Sequence, residues 1–220
     1  MQIGIDIGAS KIESVILDEN GEESFRERIE CPKNYIQTVE TIKQIVFSLD
    51  KKLNKKLNVG VCHPGIHSTH TGLVKNAPNC YWIEKKPLQK DLRDSLKREV
   101  FCENDANCFT LSEAIDGSCE HYKIVFGIIL GSGCGGGLVV DKKIVTGTNG
   151  LGGEWGHNQL PYLAAKKENL ETNILRESEI ESFISGHGLS KIFSKKYGKK
   201  LKAHEIFKAF RNHDLSLIHI

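Results

Sequence analysis

The first thirty residues constrain the fold most. "QIGIDIG", "ESVILDE" and "ESFRERIE" read as three successive strands, with "ENG" at 19–21 turning the second into the third. Isoleucines 3, 5 and 7 share one strand face, which leaves Asp6 on the other face near the strand end. The period then changes. Between Tyr35 and Lys52, Ile36, Val39, Ile42, Ile45, Val46 and Leu49 recur at helical spacing. A buried strand "NVGVCHPG", an amphipathic helix "LQKDLRDSLKRE", a strand "VFCEND" and a helix "ANCFTLSEAIDG" closed by Gly117 follow. Antiparallel strands succeeded by alternating helix and strand predict an α/β layer structure. A composition shift near Gly117–His121 divides a first unit, 1–118, from a second, 119–220, and the chain turns helical and lysine-rich from about 164.

Composition excludes several classes. With 220 residues, 39% hydrophobic and 26% charged, the chain has an ordinary globular make-up and can bury a real core. A net charge of +2 shows no basic face for nucleic acid, and Lys51, Lys52, Lys55 and Lys56 read as a solvated helix end. No apolar run is long enough to span a membrane. Seven scattered cysteines without a CxxC fit reduced thiols better than a disulfide framework. Because "MQIGIDIG" is already strand-like, no signal peptide is expected, and the expected location is cytoplasmic.

Four stretches carry candidate chemistry. "IILGSGCGGGLVV" places Gly131, Gly133, Gly135, Gly136 and Gly137 within seven positions between apolar runs. A hairpin needs one or two glycines where φ is positive; the excess favours a loop whose bare N–H groups approach an anion. Asp6 ahead of "GASK" either shapes a hairpin or holds a metal-bound phosphate beside Gly8, Ser10 and Lys11. In "ENDAN", Asp105 either caps a helix or takes a proton from an alcohol, within a polar cluster of Glu103, Asn104 and Asn107. "GGEWGH" frames Glu154 and His157 with glycines, and Glu181 follows in "ESFISG"; carboxylates, amides and an imidazole suit a polyhydroxylated ligand. Cys62, His63, His67 and His70 in "CHPGIHSTH" match no common zinc spacing and read as a loop beside the ligand.

Taken together, "DIGASK", "HPG", "GLVKNAPN", "ENDANCFTLSEA", "LGSGCGGG", "GGEWGHNQLP" and "ESFISGHG" resemble the ROK family of bacterial sugar kinases, from Met1 to about Asp214. The resemblance implies an actin-like, hexokinase-like (ribonuclease H-like) ATPase fold of two lobes, the second truncated. It implies ATP and Mg2+ as cofactors, with Asp6, Gly8, Ser10 and Lys11 in a first phosphate loop and Gly131, Ser132, Gly133, Gly135 and Gly136 in a second. By the same resemblance Asp105 is the general base, Asn104, Glu154, His157 and Glu181 bind the sugar, and Gly65 lines the pocket. "GLVKNA", "GEWGHNQLP" and "FISG" look most like fructokinases, so the expected reaction is phosphoryl transfer to the primary hydroxyl of fructose. N-acetylglucosamine kinases, which share "NDANCF", are the close alternative. The expected partners are a small sugar and ATP, with neither nucleic acid nor membrane, and with a homodimer open to the full-length protein.

Three departures from the family pattern matter. Ala9-Ser10 stands where the first loop usually has Gly-Thr, and alanine tolerates positive φ poorly. Thr172, Ile174 and Glu179 occupy positions where a CxCGxxGC segment would supply zinc ligands, so no metal site is expected and His157 loses its zinc role. "EIFKAFRNHD" reads as an amphipathic helix that needs a partner, and "LSLIHI" after it bears no family likeness. The second lobe is therefore expected to be incomplete and the chain, as it stands, a poor kinase. A decayed sugar binder is a further alternative. The family's transcriptional repressors carry a helix-turn-helix ahead of the first phosphate motif, whereas one residue precedes "QIGIDIG" here.

Overall fold

The computed structural model describes residues 1–68, 70–161 and 179–211. Its first sheet has the strand order β3-β2-β1-β4-β7, with β1 at Gln2–Ile7, β2 at Lys11–Leu17, β3 at Glu23–Glu30, β4 at Asn58–His63 and β7 at Val100–Asn104. β1, β2 and β3 pair antiparallel, while β4 joins β1 and β7 joins β4 in parallel. The expected switch from hairpins to crossovers is therefore what the sheet shows. Two short strands, β5 (Ile66–His67) and β6 (Val74–Lys75), pair with each other beside it.

Helices supply the crossovers. α1, Tyr35–Leu53, begins at Asn34, whose side chain accepts from Gln37 N at 3.1 Å, and ends at Asn54 in the left-handed region. Its Ile42, Val46 and Leu49 are buried with Ile3, Ile5, Ile7, Val59 and Val61 of the sheet. Truncating such a side chain costs about 2–5 kcal/mol, so this cluster holds the first layer together. α2, Leu88–Leu96, buries Leu88, Leu92 and Leu96 in the same core. It stops three residues before the expected end, because Lys97 takes φ 51° and donates its N–H to Arg93 O.

α3, Asp105–Ile115, leaves the end of β7 but packs on a second sheet of order β10-β9-β8, with β8 at Ile124–Leu130, β9 at Cys134–Val140 and β10 at Lys143–Ile144. Its Ala114 is buried with Val125 and Val139. The approach is close: a methyl on Gly127 or Gly137 would lie 2.0 or 2.5 Å from Thr110 Oγ1. The second core thus begins at α3, ahead of the composition shift near 117. Gly117 does not close the helix through positive φ; Asp116 is the cap, and Gly117 is needed because a Cβ there would sit 2.6 Å from Glu113 Cα.

Helices α4 (Glu181–Ile184), α5 (Gly186–Tyr197) and α6 (Ala203–Arg211) complete the described chain. Ile206 is buried against Phe193, whereas Phe207 and Phe210 stay exposed. The helix expected to need a partner therefore finds one within the chain through Ile206. Thr172 and Ile174, much of the lysine-rich stretch after 164, and "LSLIHI" lie outside the described residues.

Candidate active site

The parallel strands β1, β4 and β7 bring three chain segments to one edge at their carboxyl ends, the usual place for a ligand in such sheets. Register pairs Asp6 with Cys62, Cys62 with Glu103 and His63 with Asn104. Asp6 is exposed, and its Oδ1 accepts from Cys62 Sγ at 3.2 Å. The turn after it is closed by Gly8 N donating to Lys11 O at 2.8 Å, with Ser10 and Lys11 exposed. Ala9 is absent from the residues with positive φ, so alanine causes no strain in this turn.

At the β7–α3 junction Asn104, and not Asp105, is the helix cap. Asn104 Oδ1 accepts from Asn107 N at 3.1 Å. Asn104 Nδ2 donates to Gly65 O at 2.9 Å and to Asp105 Oδ1 at 3.1 Å. Asp105 Oδ1 also accepts from Ala106 N at 2.9 Å. Burial raises the Asp105 pKa, and the charge of Asp6 adds to the rise against the hydrogen bonds that oppose it. Gly65 has φ +83°, and a Cβ there would lie 2.5 Å from Lys75 O, so glycine is required where this loop passes under Asn104.

Glu154 starts the single turn Trp155–His157. Burial raises its pKa; His157 opposes the rise, while Asp105 and Glu181 reinforce it. Glu154 therefore feels the charges of Asp105 and Glu181, and Asp105 in turn feels that of Asp6. His157 is exposed and its Nδ1 lies 3.2 Å from Glu179 Oε2. Glu181 turns toward the glycine turn, where its Oε2 accepts from Cys134 N at 2.7 Å.

The glycine-rich stretch divides into two parts with different physics. Gly131, Ser132 and Gly133 form the β8–β9 turn. Gly131 O and Ser132 O accept from Gly186 N and His187 N at the start of α5, at 2.8 and 3.3 Å. Among the described residues no acceptor meets the N–H groups of Ser132 or Gly133. Gly135, Gly136 and Gly137 lie inside β9. A Cβ on Gly136 would sit 2.6 Å from both Gly153 O and Trp155 Cδ1, and Trp155 Nε1 donates to Gly135 O at 3.1 Å. Their bareness lets the Glu154 loop and α3 close on the strand.

Three residues at this edge carry structural roles that the motifs did not assign: Cys62 on Asp6, Glu103 beneath Asn104, and Glu84, whose carboxylate accepts from Ala77 N at 2.8 Å and Asn76 N at 3.3 Å. Glu103 stood in the polar motif without a role, and Glu84 has no signature beyond its charge. His63 and His67 are half-buried or buried with pKa values lowered by burial, and His63 Nδ1 lies 2.9 Å from Pro64 O. Among the described residues no group of three His, Cys, Asp or Glu side chains is arranged to hold a metal ion. No described helix is long and apolar enough to cross a membrane.

The sequence profile of the ROK family matches residues 2–218. An N-acetyl-D-glucosamine kinase from Histophilus somni (strain 129Pt) is 38% identical over 225 residues, covering 99% of this chain and 73% of that protein. A second N-acetyl-D-glucosamine kinase, from Mannheimia succiniciproducens, is 37% identical over 217 residues, covering 96% of this chain and 71% of its own length. Among solved structures, a ROK family glucokinase from Streptomyces griseus, in complex with glucose and AMPPNP, superposes with a TM-score of 0.75. It is 22% identical, with 99% of this chain and 73% of that chain covered. That likeness shows the shared fold, and with the ROK family match it identifies the hexokinase-like, actin-like architecture.

Proposed function

The chain belongs to the ROK family, and from that premise we propose an ATP-dependent sugar kinase whose sugar is N-acetyl-D-glucosamine. Fructose, which three short motifs suggest, gives way to the acetylated sugar because identity to the N-acetyl-D-glucosamine kinases runs along nearly the whole chain. The observation that supports kinase chemistry is Asp105, half-buried at the β7–α3 junction, with its carboxyl pKa raised by burial and by the charge of Asp6, and its own charge felt by Glu154.

Asp105 accepts the proton of the sugar's primary hydroxyl as that oxygen bonds to the γ-phosphorus and the bond to the ADP oxygen breaks. Oδ1 is already engaged by Ala106 and Asn104, which leaves Oδ2 to take the proton. A pKa raised by burial brings the carboxylate nearer the operating pH, where a base works best. Asn104, Glu154, His157 and Glu181 hold the sugar hydroxyls and Gly65 shapes the floor. The unpaired N–H groups of Ser132 and Gly133 suit a phosphate, as does the exposed turn of Gly8, Ser10 and Lys11. Gly135 and Gly136 support that turn from within β9.

The exposed carboxylate of Asp6 is a hard oxygen donor that would hold Mg2+, and the ion would supply charge neutralisation at the phosphates. The test is ADP release from the full chain with N-acetylglucosamine, glucose, mannose and fructose in parallel. The acetylated sugar should give the highest kcat/KM. A higher value for fructose would return the assignment to the fructokinases, and no turnover with any of them would favour a non-catalytic binder.

A further inference from the structure

We propose that Glu103 is a positioning residue that fixes Asp105 through two asparagines without touching substrate. Its Oε1 accepts from Asn104 N at 2.8 Å and from Asn107 Nδ2 at 3.1 Å. Those two asparagines define the head of α3: Asn107 N donates to Asn104 Oδ1, and Asn104 Nδ2 donates to Asp105 Oδ1 and Gly65 O. One carboxylate oxygen therefore holds the backbone of the residue before Asp105 and the side chain of the residue two after it. Asn104 and Asn107 are both buried, so neither can swing to water for a replacement partner.

The consequence is directional. The orientation of the Asn104 amide decides whether its nitrogen or its oxygen faces Asp105, and an oxygen there would repel the carboxylate. The amide is fixed by Asn107 N, which donates to its Oδ1, and by Gly65 O, which accepts from its Nδ2; Glu103 holds the Asn104 backbone and the Asn107 side chain so that these partners stay in register. Charge-assisted bonds of this kind are shorter and stronger than neutral ones. The role needs an acceptor oxygen at the right reach more than it needs a charge. Glutamine at position 103 can supply that oxygen, whereas aspartate is one methylene too short to serve both donors.

The inference rests on Asp105 being the base, so the experiment separates the two. Four variants of the full chain, Glu103→Ala, Glu103→Gln, Glu103→Asp and Asp105→Asn, together with the double variant Glu103→Ala/Asp105→Asn, are compared for kcat and for the KM of ATP. Glu103→Ala and Glu103→Asp should lower kcat ~10- to 100-fold, the scale of a misplaced catalytic group, with the KM of ATP within about twofold. Glu103→Gln should retain kcat within a few-fold. In the double variant, Glu103→Ala should cause no further loss beyond Asp105→Asn, because a residue acting through Asp105 has nothing left to position.

Equal activity of Glu103→Gln and Glu103→Asp overturns the proposal even if the alanine variant fails to fold. A further tenfold loss in the double variant overturns it too, since Glu103 would then act independently. Near-normal turnover by Asp105→Asn alone removes Asp105 as the base, a separate failure read from a separate protein.

Discussion

Asn104 caps α3 and in the same posture donates its amide to the Asp105 carboxylate, 3.1 Å from Nδ2 to Oδ1. Because the cap is already supplied, Asp105 at the first helical position is released from that duty. A carboxylate there would ordinarily be stabilised by the helix dipole. Burial and the charge of Asp6 act the other way and win, so the group sits above the usual aspartate range. A first-turn carboxylate that is not the cap, and whose pKa is raised despite its bond from Ala106 N, points to chemistry.

Asp105→Asn should therefore abolish most turnover and leave sugar binding intact. The amide fills the same volume and still accepts from Asn104, but it cannot take the hydroxyl proton. Removal of a general base costs ~100- to 10,000-fold in rate. Single-turnover kinetics together with calorimetric sugar titration would check it, and a variant within a few-fold of wild type would exclude the role.

The same substitution should stabilise the fold at neutral pH. A folded-state pKa raised above the unfolded value gives stability that is complete below the ordinary aspartate range and is lost as pH rises through the folded value. Asparagine does not titrate, so its melting temperature relative to wild type should be higher at pH 7.5 than at pH 4. Thermal melts at those two pH values decide the matter. A relative stability that falls between pH 4 and pH 7.5 would contradict the raised pKa.

Much of this arrangement was legible in the residues. The alternation of Ile3, Ile5 and Ile7 and the spacing of Ile42, Val46 and Leu49 give the first layer directly, since each apolar face has a single place to go. "ENDAN" announces a polar strand end. What it does not announce is which of its side chains caps, because Asn and Asp cap about equally well and the choice is made by Gly65 O and Glu103 across the fold. The glycine stretch was legible as unusual, but its division into a turn and a packed strand depends on Trp155 and Thr110, contributed from distant parts of the sequence. The choice of sugar was the least legible, for it rests on a few pocket contacts that short motifs share across relatives.

Glu154→Gln should weaken the sugar and spare the nucleotide. Its carboxyl is half-buried and feels the charges of His157, Asp105 and Glu181, but not that of Asp6 at the first turn's strand. A hydrogen bond to a charged group is worth roughly 1.5–3 kcal/mol, so the sugar KM should rise about tenfold or more while the KM of ATP stays within twofold. Steady-state kinetics with each substrate varied in turn would show the split. Equal changes in both constants would move Glu154 out of the sugar site.

Gly131→Ala and Gly136→Ala should fail in opposite ways. Around Gly131 nothing lies within 4 Å of an added Cβ, and its φ is outside the left-handed region, so the fold has room for the methyl. If the turn cradles phosphate, the methyl instead occupies space that the nucleotide needs, and the KM of ATP should rise while the melting temperature moves little. At Gly136 the same methyl would lie 2.6 Å from Gly153 O and from Trp155 Cδ1, against a backbone and a packed ring that cannot easily yield. Overpacking of this kind costs about 1–3 kcal/mol, occasionally more. Gly136→Ala should accordingly lose stability and displace the loop that carries Glu154, raising the sugar KM as well. Melting curves and the two Michaelis constants, measured on both variants, separate the outcomes. A destabilised Gly131→Ala, or one that binds ATP as wild type does, would mean the turn is a structural hairpin and its glycines have no part in holding phosphate.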